Sequence, residues 1–196
     1  MNNFEHPQPD PHDIDLRTVH DGRLIYPSEA DGANIHNLKL QGITIPVSFT
    51  VLPGGYFRMN GLQEGHSAGL VLSGFLFNTD AKINHVVVDE ELRRYAKEHG
   101  NARVGEAALL DLEESLKKQG ISTVYAVFYM PDTIEFFRRN GYKIASVASL
   151  MNDTKIHLGI RSEGFNKQIT DDETFDQHRP TDSERYQHVL LKKHLS

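Results

Sequence analysis

The sequence predicts a mixed α/β (α+β) fold, in which a mostly antiparallel sheet carries a central parallel βαβ unit and flanking helices. Two observations carry this prediction. The segments before residue 80 read as strands joined by short turns, and residues 83–142 read as strand, long loop, helix, strand and helix. A strand that returns through a helix to a second strand makes the two strands parallel neighbours.

Alternating and apolar segments predict the antiparallel part of the sheet. Residues 38–52 alternate as one strand, and Pro46 inside it indicates an edge strand or a bulge. After the turn Pro-Gly-Gly, residues 56–59 begin a returning strand. Two further strands are predicted over residues 69–78 and 83–88.

The clearest helix is predicted over residues 103–119. Five apolar residues recur at the spacing that places them on one helical face: Val104, Ala108, Leu109, Leu112 and Leu116. The pairs Glu113/Lys117 and Glu114/Lys118 stand four residues apart, which predicts a solvated outer face. Gly120 follows as a left-handed cap. Because a helix begins with free amides and a positive dipole end, its start is suited to a phosphate or pyrophosphate.

The rest of the chain is predicted to complete the sheet. A short helix opens at Pro131 and closes at Arg139, and the polar stretch 161–185 reads as an exposed loop that holds at most a short helix. Strands are predicted over residues 122–129, 143–151, 156–160 and 186–195.

Composition limits the class of protein. A length of 196 residues fits one domain, which we place at residues 15–196 behind a flexible, Pro-containing leader at 1–14. A formal net charge of −6 argues against nucleic acid as the partner, and no apolar run is long enough to span a membrane. The chain has no Cys, and its 11 His are scattered without metal-ligand spacing, so we predict no metal site. A cytoplasmic location is expected.

Three phrases carry a resemblance to a known family. They are GEAALLDLEESLKKQGISTVYAVF at 105–128, FFRRNGY at 136–142 and YQHVLLKKHL at 186–195. With the order of the elements, they resemble the GNAT superfamily of acetyl-CoA-dependent N-acetyltransferases. The resemblance implies a GNAT-like fold, acetyl-CoA as co-substrate, and a small-molecule or peptide amine as acceptor. It also makes a homodimer an expectation, which no stretch of the sequence itself indicates.

The resemblance implies a coenzyme A site around the start of the long helix. The family's loop reads Q/R-x-x-G-x-G/A. Here Gly100 to Gly105 aligns with it by helix spacing and places Arg103 where the first loop glycine is expected. A second register makes Gly105 and Ala107 the small pair. The preceding strand of the family splays from its neighbour and offers backbone groups to pantetheine. The implied binding residues are Val86, Val87, Val88, Gly100, Arg103, Val104, Gly105, Glu106 and Ala107.

The same resemblance suggests a general base for the amine. Glu90 or Glu91 falls near the end of that strand, where the family often carries a Glu, and His85 lies within the strand. Each has a plainer reading: the two Glu residues can begin a helix, and a single His in a strand is more often a packing residue. The inserted segment 89–102 looks helical. Its charged sequence fits a solvated surface helix and a substrate-facing helix equally well.

The acid that protonates the leaving thiolate in the family has no direct counterpart in this sequence. The family's Tyr position is occupied by Phe137, which cannot donate a proton. Tyr129 or Tyr125 on the preceding strand is a replacement, although both also fit ordinary sheet packing. We therefore predict an N-acyltransferase that moves an acetyl group from acetyl-CoA to a primary amine by direct attack. The first alternative is a non-catalytic GNAT-fold protein that binds coenzyme A or has a regulatory role. The second is an interaction domain with an empty cleft.

Overall fold

The computed structural model describes residues 34–40, 43–61, 69–100, 103–160, 164–178 and 187–195. The predicted leader at 1–14, and the start of the domain at residue 15, lie outside these residues. None of the helices in the described ranges is long and apolar enough to cross a membrane.

The described strands form one eight-stranded sheet in the order β1-β2-β3-β4-β5-β6-β8-β7. Every neighbouring pair is antiparallel except β5 and β6, which are parallel. The predicted fold class, a mostly antiparallel sheet with one central parallel pair, is therefore confirmed. The strands are β1 Asn34–Leu40, β2 Ile43–Val51, β3 Tyr56–Gly61, β4 Leu70–Phe77, β5 Asp80–Val88, β6 Thr123–Phe128, β7 Lys143–Ile144 and β8 Val189–His194.

Two consecutive helices connect the parallel strands, and three more follow. The described helices are α1 Glu90–Glu98, α2 Val104–Lys118, α3 Pro131–Arg139, α4 Asn152–His157 and α5 Asp172–Gln177. The inserted segment 89–102 thus contains a helix, as its sequence indicated. Asp89 begins it, because the carboxylate accepts a hydrogen bond of 2.7 Å from the backbone N–H of Leu92.

The main core lies on one face of the sheet. The predicted apolar stripe of α2 is buried there, together with Leu92 of α1 and Ile134 of α3. Glu113 of α2 is an exception to the prediction, because it is buried instead of facing solvent. It is buried because β8 brings Lys193 to it, and the Lys193 Nζ lies 2.6 Å from the Glu113 Oε2.

A smaller core lies on the opposite face. Phe77, Tyr125 and Leu190 of the sheet are buried with Leu158, the residue that ends α4. The ring of Phe77 stacks on Tyr125 at 6.2 Å between centroids and on His157 at 5.2 Å. Helices therefore cover both faces at the β6–β8 end of the sheet.

Several predicted strands were wrong. Residues 156–160 end α4 and turn at Gly159 instead of forming a strand, and residues 143–151 give only the two-residue β7 before a 3-10 turn at Val147–Ser149. The 161–185 stretch contains α5.

The predicted strand 38–52 is a hairpin of β1 and β2. Pro46 does not mark an edge strand, because β2 pairs with β1 on one side and with β3 on the other. The pairing with β3 ends at Val47, so the missing N–H of Pro46 removes no hydrogen bond on that side.

Candidate active site

The two parallel strands separate halfway along their length. β5 and β6 pair from Asp80 and Thr123 to Ile83 and Ala126. β5 continues to Val88 and β6 to Phe128 without further pairing between them. The backbone of residues 84–88 therefore faces an opening on its β6 side, which is the splay that the sequence resemblance implied.

A bulge in β5 lies at this opening. Ser73 pairs with His85, but Gly74 pairs with Ile83, so Asn84 is an extra residue in β5. Gly74 permits the close approach of the strands, because a Cβ there would lie 1.8 Å from the carbonyl oxygen of Lys82.

The bulge reverses which β5 side chains face the main core. Ala81 and Ile83 point into it before the bulge, and Val88 points into it after. His85 instead shares the opposite face with Ser73, and its Nδ1 lies 3.2 Å from the Ser73 Oγ. One strand thus presents apolar side chains to one face and a histidine to the other.

A cleft of about 500 Å³ opens beside the end of β5. It lies where β5, α1 and the starts of α2 and α3 meet. Six of the predicted cofactor-binding residues line it: Val86, Val88, Arg103, Val104, Gly105 and Glu106. The other described lining residues, which the sequence did not indicate, are Arg93, Asp132, Thr133, Phe136 and Arg139.

The cleft favours anions. Arg93, Arg103 and Arg139 outnumber the carboxylates of Glu106 and Asp132. Arg103 Nη1 lies 3.2 Å from Glu106 Oε2, but the Arg103 side chain is 79% exposed, so water screens this pair and the charge can face a ligand. The guanidinium group is also the side chain best matched to phosphate oxygens.

Two helices begin at the cleft without side-chain caps. Neither Arg103 before α2 nor Met130 before α3 caps its helix, whereas Asp89 caps α1. The first amides of a helix have no partner within the helix, and they carry the positive end of its dipole. The two helix starts therefore add donors for an anionic ligand beside the arginines.

Three predicted cofactor-binding residues do not line the cleft. Val87 follows the bulge and is exposed on the same face of the sheet as His85. Gly100 follows the end of α1 and has a left-handed φ of 81°. Ala107 packs against the main core. The inserted helix α1 contributes Arg93, so it has both a solvated face and a face at the cleft.

The predicted base residues lie in different surroundings. His85 is half-buried, and burial lowers its pKa below the ordinary value, with a smaller contribution from the charge of Lys82. The imidazole is therefore neutral at pH 7 and free to accept a proton. Glu90 and Glu91 are exposed in the first turn of α1, and neither lines the cleft.

The aromatic residues near the site differ in exposure. Tyr129 follows β6, is 41% exposed and meets the ring of His188 edge-on at 5.7 Å. Phe137 is fully buried and stacks on Phe128 at 5.0 Å, so its position belongs to the core. Tyr125 is buried in the smaller core, where burial raises the pKa of its hydroxyl.

The lining residues that the sequence did not indicate come from helix faces that converge only in the fold. Arg93 and Arg139 read as surface residues of amphipathic helices, and the sequence carries no signal that the two helices meet. Phe136 precedes the core residue Phe137, and the spacing alone does not tell which ring faces the cleft. Among the described residues, no group of three His, Asp or Glu side chains is arranged to hold a metal ion.

Comparisons with known proteins give structural neighbours only. No protein-family model matches the sequence, and no curated protein matches it. The chain is similar to GNAT acetyltransferases of known structure. An acetyltransferase of the GNAT family from Staphylococcus aureus Mu50 shares 14% identity at a TM-score of 0.46, with 73% of this chain and 70% of that chain covered.

Two further neighbours are comparable. The ribosomal-protein-S18-alanine N-acetyltransferase from Escherichia coli shares 16% identity over 74% of this chain and 72% of its own, at a TM-score of 0.47. A Bacillus subtilis acetyltransferase in complex with CoA shares 16% identity over 74% of this chain and 80% of its own, at a TM-score of 0.44.

Proposed function

We propose that the protein is an acetyl-CoA-dependent N-acyltransferase that transfers an acetyl group to a primary amine. The observation that carries this proposal is the opening between β5 and β6, because it adjoins a cleft where two uncapped helix starts and three arginines meet. An elongated ligand with an anionic end and a neutral, hydrogen-bonding arm fits this combination.

Coenzyme A has that form. Its pyrophosphate and ribose phosphate are suited to the amides that begin α2 and to Arg93, Arg103 and Arg139. Gly105 borders the cleft, since a Cβ at that position would lie 3.4 Å from Phe136 and 3.6 Å from Val88, which both line it. The backbone of residues 84–88 remains for the pantetheine arm.

The residues of this chain then have separate tasks. When bound, acetyl-CoA supplies an acetyl group activated as a thioester. His85, neutral at pH 7, takes one proton from the attacking amine through Nε2 when its Nδ1–H donates to the Ser73 Oγ. The amine nitrogen bonds to the acetyl carbon as the carbon–sulfur bond breaks, and coenzyme A leaves as the thiolate.

The thiolate does not require a dedicated acid. A free thiol has a pKa of about 8.5, so departure near neutral pH followed by protonation from water is tolerable. This accounts for a buried Phe137 at the position where the related family carries a Tyr. Tyr129, which is partly exposed after β6, stays a prediction for an acid.

A second function, coenzyme A binding without turnover, is favoured by one observation. The predicted base and acid residues His85, Glu90 and Tyr129 are not among the described lining residues of the cleft, and the carboxylates that do line it, Glu106 and Asp132, belong to the first turns of α2 and α3. The acceptor, a homodimer and a cytoplasmic location also stay predictions.

Thermal melting and thiol release separate the two functions. Acetyl-CoA and coenzyme A are each expected to raise the melting temperature, because both bind the folded chain. Thiol release is then measured with a panel of amines, amino acids, polyamines and peptides. Release above background supports the transferase. Stabilisation without release from any acceptor supports the binding protein, and the absence of stabilisation contradicts both.

A further inference from the structure

A row of polar side chains crosses the sheet and ends at His85. Thr50 of β2 pairs with Arg58 of β3, Arg58 pairs with Ser73 of β4, and Ser73 pairs with His85 of β5. Side chains of directly paired residues stand on the same face of a sheet, next to one another. These four residues, which we call the polar row, therefore form a continuous line.

The polar row lies on the face opposite α2. Phe57 and Met59, which flank Arg58 in β3, are fully buried in the main core. Because side chains alternate along a strand, Arg58 points to the other face. The bulge at Asn84 brings His85 to that face as well.

Buried polar atoms at the polar row and beside it lack hydrogen-bond partners within the described part of the chain. They are the Nε of Arg58, the Oδ1 of Asn60 and the Oγ of Ser48, and Asn60 pairs with Ser48 in the adjacent row. Ser48 is only 1% exposed. A buried donor or acceptor without a partner is costly, so three of them side by side indicate a place that a polar ligand completes.

Arg58 and Lys82 are the two cations that β3, β4 and β5 place on this face. Lys82 stands on the same face of β5, but its Nζ donates to the carbonyl oxygen of Leu158 at 2.8 Å, and burial lowers its pKa. Arg58 is half-buried and lies two strands from His85. Neighbouring strands are about 4.8 Å apart, so about 10 Å separates the two backbones, and the long side chain of Arg58 shortens the remaining gap.

We propose that the polar row holds the acceptor amine and that Arg58 binds a carboxylate of that acceptor, with Asn60 and Ser48 hydrogen-bonding to its polar groups. The acceptor class is then an amino acid or another small amine that carries a carboxylate. The amine nitrogen lies at the His85 end of the row, next to the opening between β5 and β6, and the carboxylate lies at the Arg58 end. This inference rests on the proposed transferase function.

The test compares acceptors that differ only in charge. Amino acids with increasing separation between amine and carboxylate are each paired with the corresponding amide, and kcat/KM is measured by thiol release with wild-type protein. In at least one pair, the kcat/KM of the carboxylate form is expected to exceed that of the amide by about tenfold or more, which is the usual effect of a charge-assisted hydrogen bond. Equal rates for acid and amide in every pair would overturn the inference.

Variants then assign the preference to one side chain. Arg58→Gln is expected to reduce the preference to about threefold or less, mainly through KM, whereas Arg58→Lys retains part of it. Arg94→Gln is the matched control, because Arg94 is an exposed arginine of α1 outside the cleft. A preference that survives in Arg58→Gln overturns the assignment, and the wild-type comparison of acid with amide is independent of whether a variant folds.

The failure of this inference is distinguishable from the failure of the proposed function. If acetyl-CoA stabilises the protein and only uncharged amines react, the transferase stands and the role of Arg58 is wrong. If acetyl-CoA binds and neither series reacts, the acceptor class is wrong. If acetyl-CoA neither binds nor releases thiol, the transferase itself is wrong.

Discussion

Ser73 and His85 face each other across β4 and β5, with the Ser73 Oγ 3.2 Å from the His85 Nδ1. The contact exists because β5 contains one extra residue, Asn84, between the positions paired with Ser73 and Gly74. Without that residue, simple alternation would place His85 on the side of Ala81 and Ile83, in the apolar core. The bulge therefore converts a core position into a polar one at the opening between the parallel strands.

His85→Gln tests whether this histidine is the base. Burial, and to a smaller extent Lys82, lowers the pKa of His85 below its ordinary value of 6.5. A base with a lowered pKa is fully active at neutral pH and loses activity only as the pH falls through that lowered pKa. We expect wild-type kcat/KM to fall on the acid side of pH 6.5, and His85→Gln to be about 100-fold slower and to lack this acid limb.

His194→Gln is the matched control for that profile. The Nδ1 of His194 lies 3.2 Å from the Thr123 Oγ1, so the chain contains a second histidine–hydroxyl pair of the same length on the sheet. This variant should keep the wild-type pH profile of thiol release. An acid limb that persists unchanged in His85→Gln would assign the base elsewhere, with Glu90 the next residue to examine.

Gly74→Ala tests the bulge itself. A Cβ at residue 74 would lie 1.8 Å from the carbonyl oxygen of Lys82 and 2.6 Å from the ring of Phe57, so β4 and β5 must separate. We expect a loss of at least about 2 kcal/mol in the free energy of unfolding, as for other overpacked sites. Urea denaturation measures it. Gly105→Ala, where the nearest contact is 3.4 Å, should leave the unfolding midpoint nearly unchanged. A Gly74→Ala midpoint equal to wild type would mean that the bulge does not need glycine.

The elements that the sequence predicted well are those whose local pattern agrees with their packing. The apolar stripe of α2 has helical spacing and ends at Gly120, which has a left-handed φ of 82°. The β5–α2–β6 connection follows from that helix lying between two apolar strands. The helical spacing and the burial of the apolar face favour the same structure there, so the local sequence pattern was enough to predict it.

The bulge could not be predicted from the sequence. Core-facing residues of β5 are two apart at Ala81 and Ile83, and again at Val86 and Val88, but three apart between Ile83 and Val86. Val87 is equally apolar but exposed, so the residue types alone do not show which valines face the core.

The strand predicted at 156–160 was wrong for a related reason. Its apolar Ile156 is 74% exposed in a six-residue helix, so it carries no information about a core.

The charged part of the cleft could not be predicted, because it depends on long-range packing. Arg93 and Arg139 belong to helices separated in sequence by α2 and β6, and only the fold brings them to one cleft. Burial of Glu113 has the same origin, since its partner Lys193 comes from the last strand.

Arg93→Gln and Arg139→Gln test the anionic end of the cleft. Each removes one charge that faces the ligand across partly solvated space, so we expect acetyl-CoA binding to weaken about two- to fivefold per variant. The double variant should also show a smaller loss of affinity when salt is added, because fewer charges remain to be screened. Calorimetric titration of acetyl-CoA at low and high salt measures both effects.

Arg94→Gln is the control for the cleft, since Arg94 neighbours Arg93 on α1 but does not line the cleft. It removes the same charge from the same helix, so a change confined to Arg93→Gln and Arg139→Gln reports position and not net charge. Equal affinities in all three variants and wild type would place the phosphates elsewhere.

Lys193→Met tests the buried ion pair between the last strand and α2. The Lys193 Nζ donates to the Glu113 Oε2 at 2.6 Å and to the carbonyl oxygen of Asn140 at 2.8 Å. Burial raises the pKa of Glu113 above its ordinary value of 4.5, and Lys193 partly offsets this. Removing Lys193 leaves a buried carboxylate without its cation, so we expect a loss of about 3 kcal/mol in the free energy of unfolding near pH 8.

The loss of unfolding free energy in Lys193→Met should shrink as the pH falls, and this direction follows from the pKa of Glu113. In Lys193→Met the folded-state pKa rises further above the unfolded value, so protonation stabilises the folded state increasingly as the pH falls toward 4.5. Urea denaturation at about pH 8 and about pH 5 measures the difference between variant and wild type. Lys118→Met, which removes an exposed lysine of the same region, should cost little at either pH. A loss in Lys193→Met that is equal at both pH values would mean that packing of the lysine stem, and not the charge of Glu113, accounts for it.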